Sequence, residues 1–231
     1  MSEQEHSQPL ISVDVVPVWV ENGQVMLGLG TRQFEPFKGA HALPGVLMGH
    51  ERSLEASLRA LKTKVGIEHP RLLRDIGVFD SAERDPRGPT LSIAKVAILD
   101  PREAESARHA GTMSATLLRD VAPSNMLEPQ EDTLPFDHDY IARQARQHLA
   151  GMLWTNATLT MSLMGERFTT REATAVHRDL TGEVSAHPSN VRRRLVSMEG
   201  LESSEEAVTE GQGRPSTAWQ WTPWGLTPPQ G

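Results

Sequence analysis

The 23 residues GVLMGHERSLEASLRALKTKVGI, from Gly45 to Ile67, decide how this chain is read. Ser53 is placed to cap a helix by accepting a bond from a free backbone N–H. Leu54, Leu58, Leu61 and Val65 then recur at spacings of four, three and four, which is one apolar helical face. Gly66 follows as a stop, since glycine tolerates the left-handed backbone of a helix end. Glu51 and Glu55 stand at the front of the segment, but its middle, Arg59-Ala60-Leu61-Lys62-Thr63-Lys64, contains no carboxylate. A hard divalent cation needs oxygen ligands, mostly carboxylates. The segment therefore frames a loop-helix unit without the acids that hold a metal, and no metal site is expected.

The flanks supply strands. Leu10 to Val20 is rich in valine and isoleucine, Asn22-Gly23 is a strong two-residue hairpin signal, and Val25 to Leu29 returns. Asp75 to Phe79 and Leu91 to Leu99 are further strands, separated by the charged turn Glu83-Arg84-Asp85-Pro86-Arg87-Gly88. At 231 residues the chain holds one large domain or two small ones. No run of about 18 apolar residues exists, so no membrane span is expected. Zero cysteines exclude disulfides and thiolate metal sites and fit a cytoplasmic protein. A net charge of −7 excludes a broadly basic coat, so contact with nucleic acid must come from a local patch. The histidines have no ligand-like spacing, and no catalytic triad can be defended.

The frame of Gly45, Glu51, Arg59, Leu61, Gly66 and Ile67 resembles the Nudix box, G-x5-E-x7-R-E-U-x-E-E-x-G-U, where U is aliphatic. Positions 60, 63 and 64 depart from it: Ala, Thr and Lys replace the carboxylates that in a working box hold magnesium. Together with Phe34-Glu35-Pro36-Phe37-Lys38-Gly39, Ala42-Leu43-Pro44-Gly45 and Arg84-Asp85-Pro86-Arg87-Gly88, the pattern resembles the NrtR family of Nudix-related transcriptional regulators. The resemblance implies an α+β chain: an N-terminal Nudix-like α/β/α sandwich, then a C-terminal winged helix-turn-helix. It implies a homodimer that represses genes of NAD metabolism, or of sugar catabolism, and releases DNA on binding a nucleotide such as ADP-ribose. No cofactor and no catalytic residue is expected. The expected parts are residues 10–135 for effector binding, 136–154 as a linker helix and 155–225 for DNA binding.

Candidate effector contacts follow from charge and forked donors: Lys38, Arg59, Arg84 and Arg87 for a pyrophosphate. Lys64 would supply positive charge where a carboxylate and its magnesium are missing. Phe37 either stacks on a base or sits in the core. Arg59 either meets the ligand or pairs with Glu51 or Glu55, and the Arg84–Arg87 run equally suits an acid-base-paired turn.

The C-terminal part is read on its own residues. Asp137 is placed to cap a helix reaching Trp154, with Ile141, Ala145, Leu149 and Met152 as its apolar stripe, and Leu159 to Met164 is a short helical or connecting segment. Thr169 and Glu172 make a capping box, Ala173, Val176 and Leu180 face inward, and Gly182 ends that helix. Ser189 is placed to cap the next helix, with Val191, Leu195 and Met198 inward. Two short helices with a tight link suit a helix-turn-helix. Thr170, Arg171, Ser189, Asn190, Arg192, Arg193 and Arg194 are the candidate DNA contacts, because arginine forks match guanine edges and phosphates. Arg214, at the tip of a hairpin running from about Ala207 to Trp221, is the candidate wing contact.

The bland reading of the three arginines is a solvated helix face. Residues 155–231 carry seven Lys and Arg against nine Asp and Glu, so binding to double-stranded, palindromic DNA must rest on a few well-placed side chains and be salt-sensitive. Two rival readings stand beside the regulator: a Nudix hydrolase whose metal site is remodelled around Glu51 and Glu55, and a nucleotide-binding adaptor whose C-terminal part contacts protein.

Overall fold

The computed structural model describes residues 8–121, 134–208 and 216–222, with the side chains of 205–208 left aside. The N-terminal elements are β1 (Leu10–Glu21), β2 (Gln24–Thr31), β3 (His41–Ala42), β4 (Gly45–Leu47), α1 (Ser53–Val65), β5 (Leu72–Phe79), β6 (Thr90–Ile98), α2 (Pro101–His109) and β7 (Ser114–Leu117). The 3-10 turn Leu118–Asp120 follows β7. The long strand β1 organises the sheet. It runs parallel to β6 from Leu10 to Val18, while its other edge pairs antiparallel first with β4 at Ser12–Asp14 and then with β2 at Val18–Glu21. The order β3-β2-β1-β6-β5 is completed by β4 on β1 and β7 on β2. The β1–β2 turn forms as expected: Asn22 and Gly23 have φ of 52° and 75°, the pair of positive values that a type I′ hairpin requires.

Alternation along β1 sends Val13, Val15 and Trp19 to one face and Val16 and Val18 to the other, and all five are buried. The first face packs against α1 and α2 through Ala56, Ala60, Leu61, Val65, Ala104 and Ala107. On the second face lies α3 (His138–Met152), which buries Ile141, Ala142, Ala145 and Leu149. This is the expected α/β/α sandwich. The helix expected as a linker thus forms one of its layers.

The apolar cluster on the α3 side continues into the C-terminal part, α4 (Ala157–Met164), β8 (Arg167–Thr169), α5 (Thr170–Thr181), α6 (Pro188–Val196), β9 (Leu201–Val208) and β10 (Ser216–Trp221). Leu159, Leu163, Phe168, Val176, Leu195, Trp219 and Trp221 belong to the same cluster as Val16 and Leu27 of the sheet. The order β8-β10-β9 makes a small antiparallel sheet beside the helix pair α5–α6, the arrangement of a winged helix-turn-helix.

Several local expectations change. α1 is turned so that its small residues Ala56 and Ala60 lie against the sheet, leaving Leu54 and Leu58, 51% and 37% exposed, at the edge of its buried face. Arg52 rather than Ser53 is the N-cap of α1, and its backbone N–H donates to Glu55 Oε2 at 2.9 Å. His187 rather than Ser189 is the N-cap of α6, because Pro188 takes the first helical position, where its missing N–H costs nothing. The Ser189 N–H donates to His187 Nδ1 at 3.3 Å. Asp137 does stand at the N-cap of α3 but makes no cap bond, its carboxylate being committed to Arg84. The Thr169–Glu172 box forms as expected: Glu172 N–H donates to Thr169 Oγ1 at 3.2 Å and Thr169 N–H to Glu172 Oε2 at 2.7 Å. Thr169→Ala should cost about 1 kcal/mol of stability, read as a lower urea midpoint with an unchanged slope.

Candidate effector cavity and DNA-facing helix

A cavity of about 390 Å³ opens where the ends of β1, β2 and β4, the helix α1 and the 84–87 turn meet. Its floor is a buried polar network. Arg84, 4% exposed, donates through Nε and Nη2 to both carboxylate oxygens of Asp137 at 3.0 and 2.9 Å, and through Nη2 to Asp14 Oδ2 at 3.1 Å. Ser92 Oγ donates to the same Asp14 oxygen at 2.6 Å. His138 Nδ1 accepts the Leu43 N–H at 3.1 Å, which leaves its Nε2 to carry the proton, 3.6 Å from Asp14 Oδ1. Burial alone would raise the Asp14 carboxyl, yet the His138, Ser92 and Arg84 neighbours hold it well below the usual carboxylate range.

Gly45 has a steric reason in this network. A Cβ there would lie 2.1 Å from Asp14 Oδ1 and 3.2 Å from the Val13 carbonyl. The first glycine of the loop-helix segment is thus the space into which the Asp14 carboxylate fits.

The walls are cationic. Arg32, Arg59, Lys64, Arg84 and Arg87 line the cavity against Asp14, Glu35 and Asp85. Arg59 pairs with Glu51 and donates to the Leu47 carbonyl at 2.9 Å. Arg87 grips Asp85 through Nε at 2.9 Å and Nη2 at 2.6 Å. Arg32 is held by the Pro36 carbonyl at 2.8 Å and lies 4.6 Å over the Phe136 ring. Burial first, then the nearby Arg87, weaken its hold on its proton, against the opposing pull of Asp85, Asp14 and Glu35. Phe136 is also within 5.1 Å of Phe37, edge-on, and of His138.

The residues do not fit a magnesium site of the Nudix kind. Ala60 is fully buried in the apolar cluster, Thr63 Oγ1 donates to the Arg59 carbonyl at 2.7 Å, and the residue lining the cavity at position 64 is a lysine. Glu51 is paired with Arg59, and Glu55 with the Arg52 N–H.

In the C-terminal part Arg192, Arg193 and Arg194 of α6 are exposed while Val191 and Leu195 are buried beneath them. Arg193 Nη2 lies 3.4 Å from Asn190 Oδ1, one turn back on the exposed face. The wing strand is fastened to α5 by Thr170, whose hydroxyl accepts from Trp219 Nε1 at 2.8 Å and donates to the Thr217 carbonyl at 3.3 Å.

Comparison with known proteins agrees with this geometry over the whole chain. No protein-family model matches. An ADPR responsive transcriptional repressor NtrR from Acinetobacter baylyi is 25% identical, covering 94% of this chain and 84% of that protein. The crystal structure of Shewanella oneidensis NrtR complexed with a 27mer DNA superposes with a TM-score of 0.73 and 25% identity, over 93% of this chain and 94% of that one. Over nearly its whole length the chain is similar to these NrtR-type regulators. An ADP-ribose pyrophosphatase from Methanocaldococcus jannaschii is 38% identical over 93 residues, but these cover 40% of this chain and 51% of that enzyme.

Within this framework the anticipated residues divide. Arg59, Lys64, Arg84 and Arg87 converge on one cavity. Phe37 and Lys38 are outside its lining, on the exposed loop between β2 and β3, and Phe37 meets the Phe136 ring edge-on. Arg84 reaches the cavity with its guanidinium already spent on two carboxylates, so it shapes the floor. Thr170 is buried and bonded to the wing, so it does not reach a DNA-facing surface. Arg171, Ser189, Asn190, Arg192, Arg193 and Arg194 are exposed, and Arg214 lies outside the described residues. Sequence reasoning missed Arg32, Phe136, His138 and Asp14, of which Asp14 had a signal, an acid in the middle of a valine-rich strand.

Because folding lowers the Asp14 proton affinity, its stabilisation is complete above its unfolded value near pH 4 and is lost as pH falls below it. Asp14→Asn should flatten that acid limb. It should also cost about 1.5–3 kcal/mol at pH 7, since Arg84 and Ser92 lose a charged acceptor while Asp137 still balances Arg84. Urea unfolding at both pH values checks this.

Proposed function

We propose that this chain is a ligand-responsive DNA-binding transcriptional repressor whose Nudix-like cavity binds ADP-ribose, or a closely related nucleotide diphosphate, without hydrolysing it. The observation that carries the reading is the cavity's charge. Five cationic residues line it against three carboxylates, and a lysine occupies a position where a Nudix box has a metal-binding carboxylate. An ammonium beside a diphosphate supplies the positive charge that magnesium supplies in an enzyme, but it activates no water. Arg32 and Lys64 are the contacts most available to the diphosphate: the Arg32 guanidinium is held by backbone carbonyls, and neither side chain has a carboxylate partner among the described residues. Phe136, with Arg32 over its face, is the aromatic surface of the site.

The DNA side rests on Asn190 and the arginines of α6, with Arg171 at the start of α5. A two-fold dimer would present two such helices to half-sites about 34 Å apart, one turn of the duplex. Ligand changes DNA affinity only by binding the two dimer geometries unequally. The adaptor reading lacks an observation of its own. The hydrolase reading draws on the likeness to the M. jannaschii enzyme, and is opposed by the engagement of Glu51 and Glu55 with Arg59 and Arg52.

Lys64→Glu should weaken ADP-ribose binding about tenfold, equal to about 1.4 kcal/mol, while EDTA leaves wild-type affinity unchanged; titration calorimetry reads both. Unchanged affinity in the variant would remove Lys64 from the site, and robust magnesium-dependent turnover of ADP-ribose would favour the hydrolase. Arg193→Ala should abolish binding to a palindromic promoter fragment in a gel shift at low salt, with ADP-ribose binding intact.

A further inference from the structure

Asp179 of α5 is buried, 5% exposed, although it lies on the helix-turn-helix and carries a charge. All of its described partners come from elsewhere in the chain. Its Oδ2 accepts the Val25 N–H of β2 at 2.9 Å, its Oδ1 pairs with Arg119 of the turn after β7, and its backbone carbonyl accepts from Arg146 Nη2 of α3 at 2.7 Å. The β1–β2 turn is seated on the same helix so closely that a Cβ at Gly23 would come within 2.8 Å of Ala175 Cβ.

The elements that meet at Asp179 also reach the cavity. β2 gives Val25 to Asp179 at one end and lines the cavity with Gly30 and Thr31 at the other, about 17 Å away along a strand. α3 gives Arg146 to Asp179, and about 12 Å back along its axis His138 lines the cavity and Asp137 holds Arg84. Arg119 follows directly from β7, which pairs with β2 through Met26 and Leu117. Two rigid elements therefore reach from the cavity to a single residue of the DNA-reading unit, β2 by its far end and α3 by its middle.

We propose that Asp179 is the positioning residue through which occupancy of the cavity sets the orientation of α5 and α6, an inference that rests on the functional reading above. A buried carboxylate held by directional donors tolerates one placement of those donors and is costly in others. A shift of the first turn of α3, or of the cavity end of β2, is carried along stiff backbone to that point. There α5 must either follow or lose its partners. Interactions of this kind have discrete arrangements rather than graded ones, which is what a two-state regulator requires.

The test uses the full chain with Arg119→Ala, Asp179→Asn and Arg119→Lys. DNA affinity is measured by fluorescence anisotropy on the promoter fragment with and without saturating ADP-ribose, and ADP-ribose affinity of the DNA-free protein by calorimetry. Asp179→Asn keeps an acceptor for Val25 and guards against a variant that fails to fold. For Arg119→Ala and Asp179→Asn, the ratio of the two DNA affinities should fall to within about twofold of one, against the 5–150-fold typical of allosteric coupling. ADP-ribose binding should persist, and Arg119→Lys should recover part of the ratio. A purely structural staple would lower the unfolding midpoint and leave the ratio as in wild type, and that result overturns the inference alone. A wild-type protein whose DNA affinity ignores ADP-ribose overturns the functional reading and this inference with it.

Discussion

The cavity depends on one buried arrangement, the Arg84 guanidinium shared between Asp14 and Asp137. It joins three pieces of chain distant in sequence: the first strand, the 84–87 turn and the start of α3. Each charge would be costly alone in this setting, and together they satisfy most of one another's donors and acceptors. Ser92 and His138 complete the set around Asp14, and Gly45 leaves room for it. The arrangement fixes where α3 begins. It therefore also fixes where the rest of α3 lies on the sheet and which face it offers to the C-terminal helices.

The loop-helix segment from Gly45 to Ile67 acquires a different meaning against this floor. A magnesium enzyme brings its charge to a diphosphate as an ion held by acids. Here the acids are missing at positions 60, 63 and 64, one of those places is folded into the apolar cluster, and another carries a cation. The walls of the cavity are positive without any ion. On the proposed reading, such a site gains affinity for anions directly. The same scaffold that elsewhere supports hydrolysis would, on that reading, serve here to hold a ligand.

Much of the fold was legible in the sequence where the signal is local. The Asn22-Gly23 turn, the Thr169–Glu172 box and the helix-ending Gly66 and Gly182 each depend on residues within a few positions, and each forms as read. The rotation of α1 was not legible, because leucine spacing reports apolarity and says nothing of how closely a helix approaches its sheet; Ala56 and Ala60 decided that. Of the cavity, sequence supplied Arg59, Lys64, Arg84 and Arg87 as cations on recognisable segments. It did not reveal that Arg84 meets Asp14 and Asp137 across 70 and 53 residues, nor that Phe136 and Arg32 stack. On the DNA side the exposed face of α6 was readable from the burial of Val191 and Leu195. That Thr170 is buried and bonded to the wing was not readable, because its partner Trp219 lies 49 residues away.

The apolar cluster that runs from Val16 and Leu27 through α3 to Leu195 and Trp219 has a consequence for how such proteins can be recombined. The chain reads as two modules joined in series, yet the packing is shared between them. A C-terminal half transplanted onto another Nudix-like body would bring Leu159, Leu163 and Val176 to a surface shaped for different side chains. Grafts between relatives should therefore be cut through the exposed turns of the helix-turn-helix, where α6 can be exchanged, and not at the junction where the order of domains suggests a seam.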